Sequence, residues 1–241
     1  MLQLIGFDGD DTLWHSEGYY QHASAEFAAI VGRHVDLADQ RVHEDMLATE
    51  RRNLKLFGYG AKGMTLSMVE TAIAITDGRI PAADIHRLVM LGKDILQHPV
   101  ELLPEVRAAV EVVAERYAVV LITKGDLFHQ ERKVAQSGLA ELFQRIEIVS
   151  EKNAPAYRRV LAEFGLAPAQ FAMVGNSLRS DVEPVVRLGG WAVHMPYHVT
   201  WAHELEHDDL EGYERHMLTV DAPAAIPSAL ARLALRAAGE D

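Results

Sequence analysis

Three carboxylates, Asp8, Asp10 and Asp11, fall within four residues in the stretch "GFDGDDT", directly after a short apolar run. An aspartate is a competent nucleophile toward phosphorus, and a second carboxylate two residues on can move protons as general acid and base. Two anions facing a phosphoryl dianion need neutralising. A hard cation held by oxygen ligands, a lysine and a hydroxyl together supply that. The chain offers such groups further along: Thr123, Lys152, and Asn176 with Asp181, each just past a short apolar segment. Lys124 competes with Lys152 as the cation. Each residue alone has a plain alternative, since Asp caps turns and helices, Thr ends strands and Lys is ordinarily solvated.

Those residues do chemistry together only if the fold gathers them. The runs "LQLIGF", "YAVVLIT", "IEIVS", "FAMVG" and "WAVHM" are short and apolar, which suits buried strands. Amphipathic helices are expected between them, from about residues 105, 127, 155 and 180, with an alanine-rich helix near 224–237. Strands alternating with helices imply an α/β fold, a doubly wound parallel sheet covered on both faces. In such sheets ligands collect at the carboxyl ends of strands, where all the candidate residues lie.

Between about Glu17 and His98 the pattern is helical throughout, with room for four helices and breaks at "GRHVD", "FGYGAKG" and "TDGRIPA". Leu66, Val69 and Ile73 form one apolar stripe there, with Met68, Ala72 and Ile75 beside it. The expected organisation is an α/β core over 1–15 and 99–241, interrupted by an all-helical insert over 16–98.

Composition narrows the function classes. With 241 residues and 49% hydrophobic content the chain can bury one good core and a smaller companion. It carries 35 acids against 23 bases, a net charge of -12, which repels a phosphate backbone, so nucleic acid is not an expected partner. There is no cysteine, which excludes disulfides and thiolate metal sites. The N-terminal apolar run is too short for a signal peptide or a membrane span, so the expected location is cytoplasmic with no membrane partner.

The series "DGDDT", "LITKG", the lysine of "VSEKNAP" and "GNSLRSD", in that order after successive strands, resembles the four-motif signature of the haloacid dehalogenase superfamily, most of whose members are Mg²⁺-dependent phosphatases. The helical insert is similar to that family's type 1 cap, which closes over the site. The resemblance implies Asp8 as nucleophile and Asp10 as acid/base. It makes Thr123, with the backbone amides of Lys124 and Gly125, the phosphoryl holder, and Lys152 the neutralising cation. Mg²⁺ would be bound by Asp8, the Asp10 backbone carbonyl, Asn176 and Asp181. Asn176 departs from the pattern, which usually has Asp there, and leaves the metal site one negative charge short. Asp11 has no assigned role and reads as a turn residue.

In the same family a loop between cap helices reaches toward the substrate, which makes Tyr59 and Lys62 candidate substrate contacts. The implied activity is hydrolysis of a small phosphorylated metabolite through an aspartyl-phosphate, by a monomer or homodimer. A phosphomutase of the same superfamily, or a phosphate-binding protein weakened at Asn176, is the alternative.

Two further strings match known motifs without their context. "HELEH" at His203–His207 has zinc-protease spacing but lies in an acidic, His-rich stretch with no third ligand at the right distance. "GYGAKG" fits a dinucleotide fingerprint, which requires a preceding strand, whereas "ATERRNLKLF" reads as helix.

Overall fold

The structure is a computed structural model that describes residues 1–36, 39–199 and 209–239. Its strands are β1 (Leu4–Phe7), β2 (Ala118–Lys124), β3 (Arg145–Val149), β4 (Phe171–Gly175), β5 (Trp191–His194) and β6 (Met217–Thr219). Its helices are α1 (Glu17–Val31), α2 (Asp39–Phe57), α3 (Ala61–Ile75), α4 (Ala82–Gln97), α5 (Val106–Ala114), α6 (Leu127–Ser137), α7 (Ala154–Phe164), α8 (Glu183–Arg187) and α9 (Ile226–Ala238). The strands make one parallel sheet in the order β3-β2-β1-β4-β5-β6.

Strand periodicity explains why this sheet is covered on both faces. Successive side chains point to opposite sides. Leu4, Val120, Ile122 and Met173 therefore enter one core with Tyr157 and Val160 of α7, whereas Ile5, Val119, Leu121 and Val174 enter another with Val110 of α5 and Leu230 of α9. All these side chains are buried, each worth about 1.5–3 kcal/mol for a large aliphatic or aromatic group. From β1 the chain runs outward through β2 to β3, then returns to the far side of β1 as β4. The connections after β1 and β4 diverge at that reversal, the place where such sheets bind ligands. The doubly wound parallel sheet is as the sequence implies. The sixth strand, β6, is an addition: the run "MLTV" is too short to carry a periodic signal.

Two compact units divide the chain: Met1–Glu17, Val100–Lys124 and Gln130–Asp241 form the α/β unit, and Gly18–Pro99 with Gly125–His129 form the helical unit. Phe27, Ile30, Val42, Met46, Met68 and Leu88 lie in the core of the helical unit. The stripe read from the sequence of α3 needs correcting. Leu66 and Ile73 are exposed, whereas Met68 and Ala72, read beside that stripe, are buried as expected, together with Met64 and Thr71. The helix is apolar around most of its circumference, so periodicity could not choose the face, and packing against α2 and α4 did.

"GYGAKG" is the break between α2 and α3, with a helix and not a strand before it. "HELEH" lies outside the described residues. Among the described residues no helix is long and apolar enough to cross a membrane.

Candidate active site

Asp8 immediately follows β1, and its amide donates to the carbonyl of Val174 at 2.9 Å, which fixes its backbone against β4. The chain then turns sharply. The Leu13 amide donates to the Gly9 carbonyl at 2.7 Å and the Asp11 amide to the Trp14 carbonyl at 2.7 Å. A side chain at Gly9 would meet the Trp14 ring at 2.7 Å, so the turn closes only over glycine. Asp11 sits at φ 60, and its carboxylate accepts from the amides of Ser16 and Glu17 at 2.8 and 3.1 Å, where α1 begins. It is the turn residue expected. Burial, together with the charge of Asp10, pushes its carboxyl up to about 7 against the pull of those amides. This turn sends Asp8 and Asp10 to different partners.

Asp8 is buried, and the ammonium of Lys152 bonds to its Oδ1. The same ammonium donates to Asp181 Oδ1 at 2.7 Å. Lys152 directly precedes Asn153, whose side chain caps α7 by accepting from the Ala156 amide at 3.0 Å. The cap fixes where the lysine leaves the backbone. Asp181 lies in a π-helical turn, Leu178–Val182, and is fully buried, with Oδ2 accepting from the Ser177 amide at 3.0 Å. A Cβ on Gly175 would stand 2.2 Å from the Asp181 carboxyl group, so the end of β4 must be glycine for this acid to enter.

Burial pushes Asp8 up to about 7, Lys152 opposes this and Asp181 adds to it. Burial pulls Lys152 down, but the charges of Asp181 and Asp8 outweigh it and hold the lysine above its ordinary range.

Asp10 has a separate set of partners. Its Oδ1 accepts from the Trp14 indole at 2.6 Å and the Lys133 ammonium at 2.7 Å, and its Oδ2 from the Gln130 amide at 2.9 Å. Burial alone would raise its pKa. The Lys133 charge and these three hydrogen bonds outweigh burial and hold the carboxyl below the usual range. Gln130 Nε2 also faces Thr123 Oγ1 at 3.3 Å and the Lys124 carbonyl at 2.5 Å, so it ties Asp10 to the buried end of β2.

Of the other expected residues, Asn176 accepts from the Thr12 hydroxyl through Oδ1 at 3.3 Å, which places its amide oxygen beside the first loop. Lys124 extends to Ser180 Oγ at 2.9 Å, in the turn that carries Asp181. The α/β unit thus brings together Asp8, Asp10, Thr123, Lys124, Lys152, Asn176 and Asp181. Gly125, at φ 133, and the pair Tyr59 and Lys62 belong to the helical unit. There Tyr59 is half-buried, and Lys62 forms an ion pair with Asp126 at 2.9 Å beneath the Phe128 ring.

Gln130 and Lys133 are absent from the sequence reading. They stand one helical turn apart on α6, directly after the "LITKG" segment. That spacing on one face was the available signal, but nothing local tied it to Asp10, 120 residues earlier.

The donor set suits a hard cation. Asp8, Asp181 and Asn176 offer only oxygen, as does the Asp10 carbonyl. Among the described residues no group of three or more His, Cys, Asp or Glu is placed to hold a metal. Mg²⁺ does not require one, since it binds through one or two carboxylates and keeps several waters.

Residues 2–189 match a family described as haloacid dehalogenase-like hydrolases. A haloacid dehalogenase-like family hydrolase from Xanthomonas campestris is similar over 100% of this chain and 95% of its own, with 52% identity and a TM-score of 0.87. At the level of fold alone, a predicted phosphoglycolate phosphatase from Haemophilus somnus is similar at 18% identity, covering 94% and 97% of the two chains, with a TM-score of 0.61. A 2-haloacid dehalogenase from Pseudomonas syringae pv. Tomato is as similar, at 19% identity, 96% and 99% coverage and a TM-score of 0.61. A search of curated proteins finds no match.

Proposed function

The chain belongs to the haloacid dehalogenase-like hydrolases, and from that premise we propose that it is a Mg²⁺-dependent phosphomonoesterase acting on a small phosphorylated metabolite. One observation carries the reading: two residues after the buried Asp8 stands a second carboxylate, Asp10, braced by its own lysine. Halide leaves carbon as a stable anion and needs no proton when the nucleophile displaces it. Transferring a phosphoryl group to water needs in addition a group that gives a proton to the leaving oxygen and takes one from the attacking water. Fold similarity does not separate the two chemistries, since a phosphatase and a dehalogenase are equally alike to this chain.

A carboxylate oxygen of Asp8 forms a bond to phosphorus as the ester oxygen leaves, and that oxygen takes a proton from Asp10. Asp10, now a carboxylate, accepts a proton from water as the water oxygen attacks phosphorus, and the aspartyl–phosphorus bond breaks to free phosphate. Between turnovers Lys133 holds Asp10 as a carboxylate, so each cycle begins with Asp10 taking up a proton from solvent through its exposed edge as substrate arrives and ends with that proton released. Lys152 between Asp8 and Asp181 offsets the negative charge that collects at the phosphoryl group. Asp8, Asp181, Asn176 and the Asp10 carbonyl would hold Mg²⁺, which when bound supplies further positive charge there.

The test is phosphate release from a panel of phosphorylated metabolites with Mg²⁺ present and Asp8→Asn as the blank. Turnover of one compound class that disappears in the blank and in chelator is expected. If every compound gives the same release from wild type and Asp8→Asn, the reading is wrong. Product identified as an isomer of the substrate, with no net phosphate, favours a mutase.

A further inference from the structure

Building on the phosphomonoesterase reading, we infer that Gln130 and Lys133 of α6 are positioning residues for Asp10 and act on turnover through that carboxylate. Both Asp10 oxygens are held: Oδ1 by Trp14 and Lys133, Oδ2 by Gln130. Lys133 also donates to Ser16 Oγ at 3.2 Å, so its ammonium is fixed from two sides. The Asp10 side chain is 29% exposed, and the Lys133 side chain only 10%. The carboxylate therefore reaches open space while the groups that aim it lie behind.

Gln130 carries the stronger argument. It is 2% exposed, its Nε2 faces three acceptors, and its Oε1 has no hydrogen-bond partner among the described residues. An orphaned buried acceptor costs stability, and an aliphatic side chain of similar size avoids that cost. The Gln130 amide nitrogen, by contrast, is fully used, on three acceptors that belong to Asp10 and the end of β2. A residue that holds Asp10, Thr123 and the Lys124 carbonyl in a fixed relation aligns the proton-moving carboxylate with the strand end expected to hold the phosphoryl group. Misplacing a reacting group by about 1 Å costs on the order of 10²-fold in rate.

The experiment combines steady-state kinetics and thermal unfolding on the full chain with Gln130→Leu, Lys133→Met, Lys133→Arg, Asp10→Asn and the double variant Asp10→Asn with Lys133→Met. Gln130→Leu is expected to lower kcat roughly 10- to 100-fold with KM within about twofold, and to leave the melting temperature unchanged or raised. Lys133→Met is expected to lower kcat similarly, with much of the loss restored by Lys133→Arg. In the Asp10→Asn background Lys133→Met should cost nothing more, because its effect passes through Asp10. A kcat unaltered by Gln130→Leu or Lys133→Met overturns the inference, and so does a Lys133→Met effect of equal size with and without Asp10. A kcat loss that disappears when rates are measured well below each variant's melting temperature, where the variant is fully folded, also overturns it, by assigning both residues to the core. Wild type with no turnover above Asp8→Asn sinks the phosphomonoesterase reading itself and this inference with it, which distinguishes the two failures.

Discussion

Asp8 and Asp10 are two residues apart in sequence, each with a buried lysine bonded to Oδ1, yet their carboxyl groups move in opposite directions. Around Asp8 one ammonium serves two carboxylates, and Asp181 is fully buried, so negative charge exceeds positive in a dry site. Around Asp10 an ammonium, an indole and an amide converge on one carboxylate that still touches solvent. Burial raises both carboxyls, and the opposing charges and donors decide whether it prevails, as at Asp8, or is outweighed, as at Asp10. The first arrangement leaves a charge deficit that an arriving cation can fill. The second is complete in itself.

The largest expected effect separates the two acids by activity. Asp8→Asn should lower phosphate release by on the order of 10⁴-fold or more, the scale of losing a nucleophile, and Asp10→Asn by about 10²–10⁴-fold, the scale of losing an acid/base. Equal losses in rate assays would remove the distinction. Removing each lysine tests the same contrast in stability. Lys152→Met strands two buried carboxylates and should cost about 3–5 kcal/mol in urea unfolding, whereas Lys133→Met leaves one partly exposed carboxylate with two donors and should cost about 1 kcal/mol.

Gly175→Ala presses a methyl into the Asp181 carboxyl group, so it should lower stability by about 1–3 kcal/mol, visible in thermal unfolding, and disturb the Asp8 side without touching Asp10. Asn176→Asp adds one negative charge to the deficient side and should tighten Mg²⁺ by about tenfold in titration calorimetry. Unchanged affinity would show that the amide position is not a limiting ligand.

The smallest effect concerns a carboxylate outside the site that serves as a reference. Asp84, in the helical unit, is held below the usual range by a 2.6 Å hydrogen bond from His34, against burial, and by Arg33 and Arg87. Its folded value is below the unfolded 3.8, so its stabilisation is present above that pH and is lost as pH falls through the folded value. Unfolding midpoints should drop on acidification below about pH 4, and less so in Asp84→Asn.

Much of this was legible in the chain itself. Five of the six strands and the four helices of the insert follow from apolar runs and glycine-rich breaks, because strand and helix periods are local properties. The residues at the strand ends were legible for the same reason, since Asp8 and Asn176 directly follow β1 and β4 and Thr123 is the penultimate residue of β2. What could not be read was whatever depended on a distant partner. The buried face of α3 is chosen by α2 and α4, and β6 exists because β5 offers it an edge. Gln130 and Lys133 look like an ordinary polar helix face until Asp10 is placed against them.

The sequence by itself determined the chemical inventory: an acid pair separated by one glycine, a hydroxyl and lysines at strand ends, an amide where an acid is usual, and a turn at Asp11 that parts the pair. Only the tertiary structure decided which lysine goes to which acid. It sent Lys152 to Asp8 and Asp181, Lys133 to Asp10, and Lys124 to Ser180. The physical reason is that charges interact through distance and dielectric, and neither follows from separation along the chain.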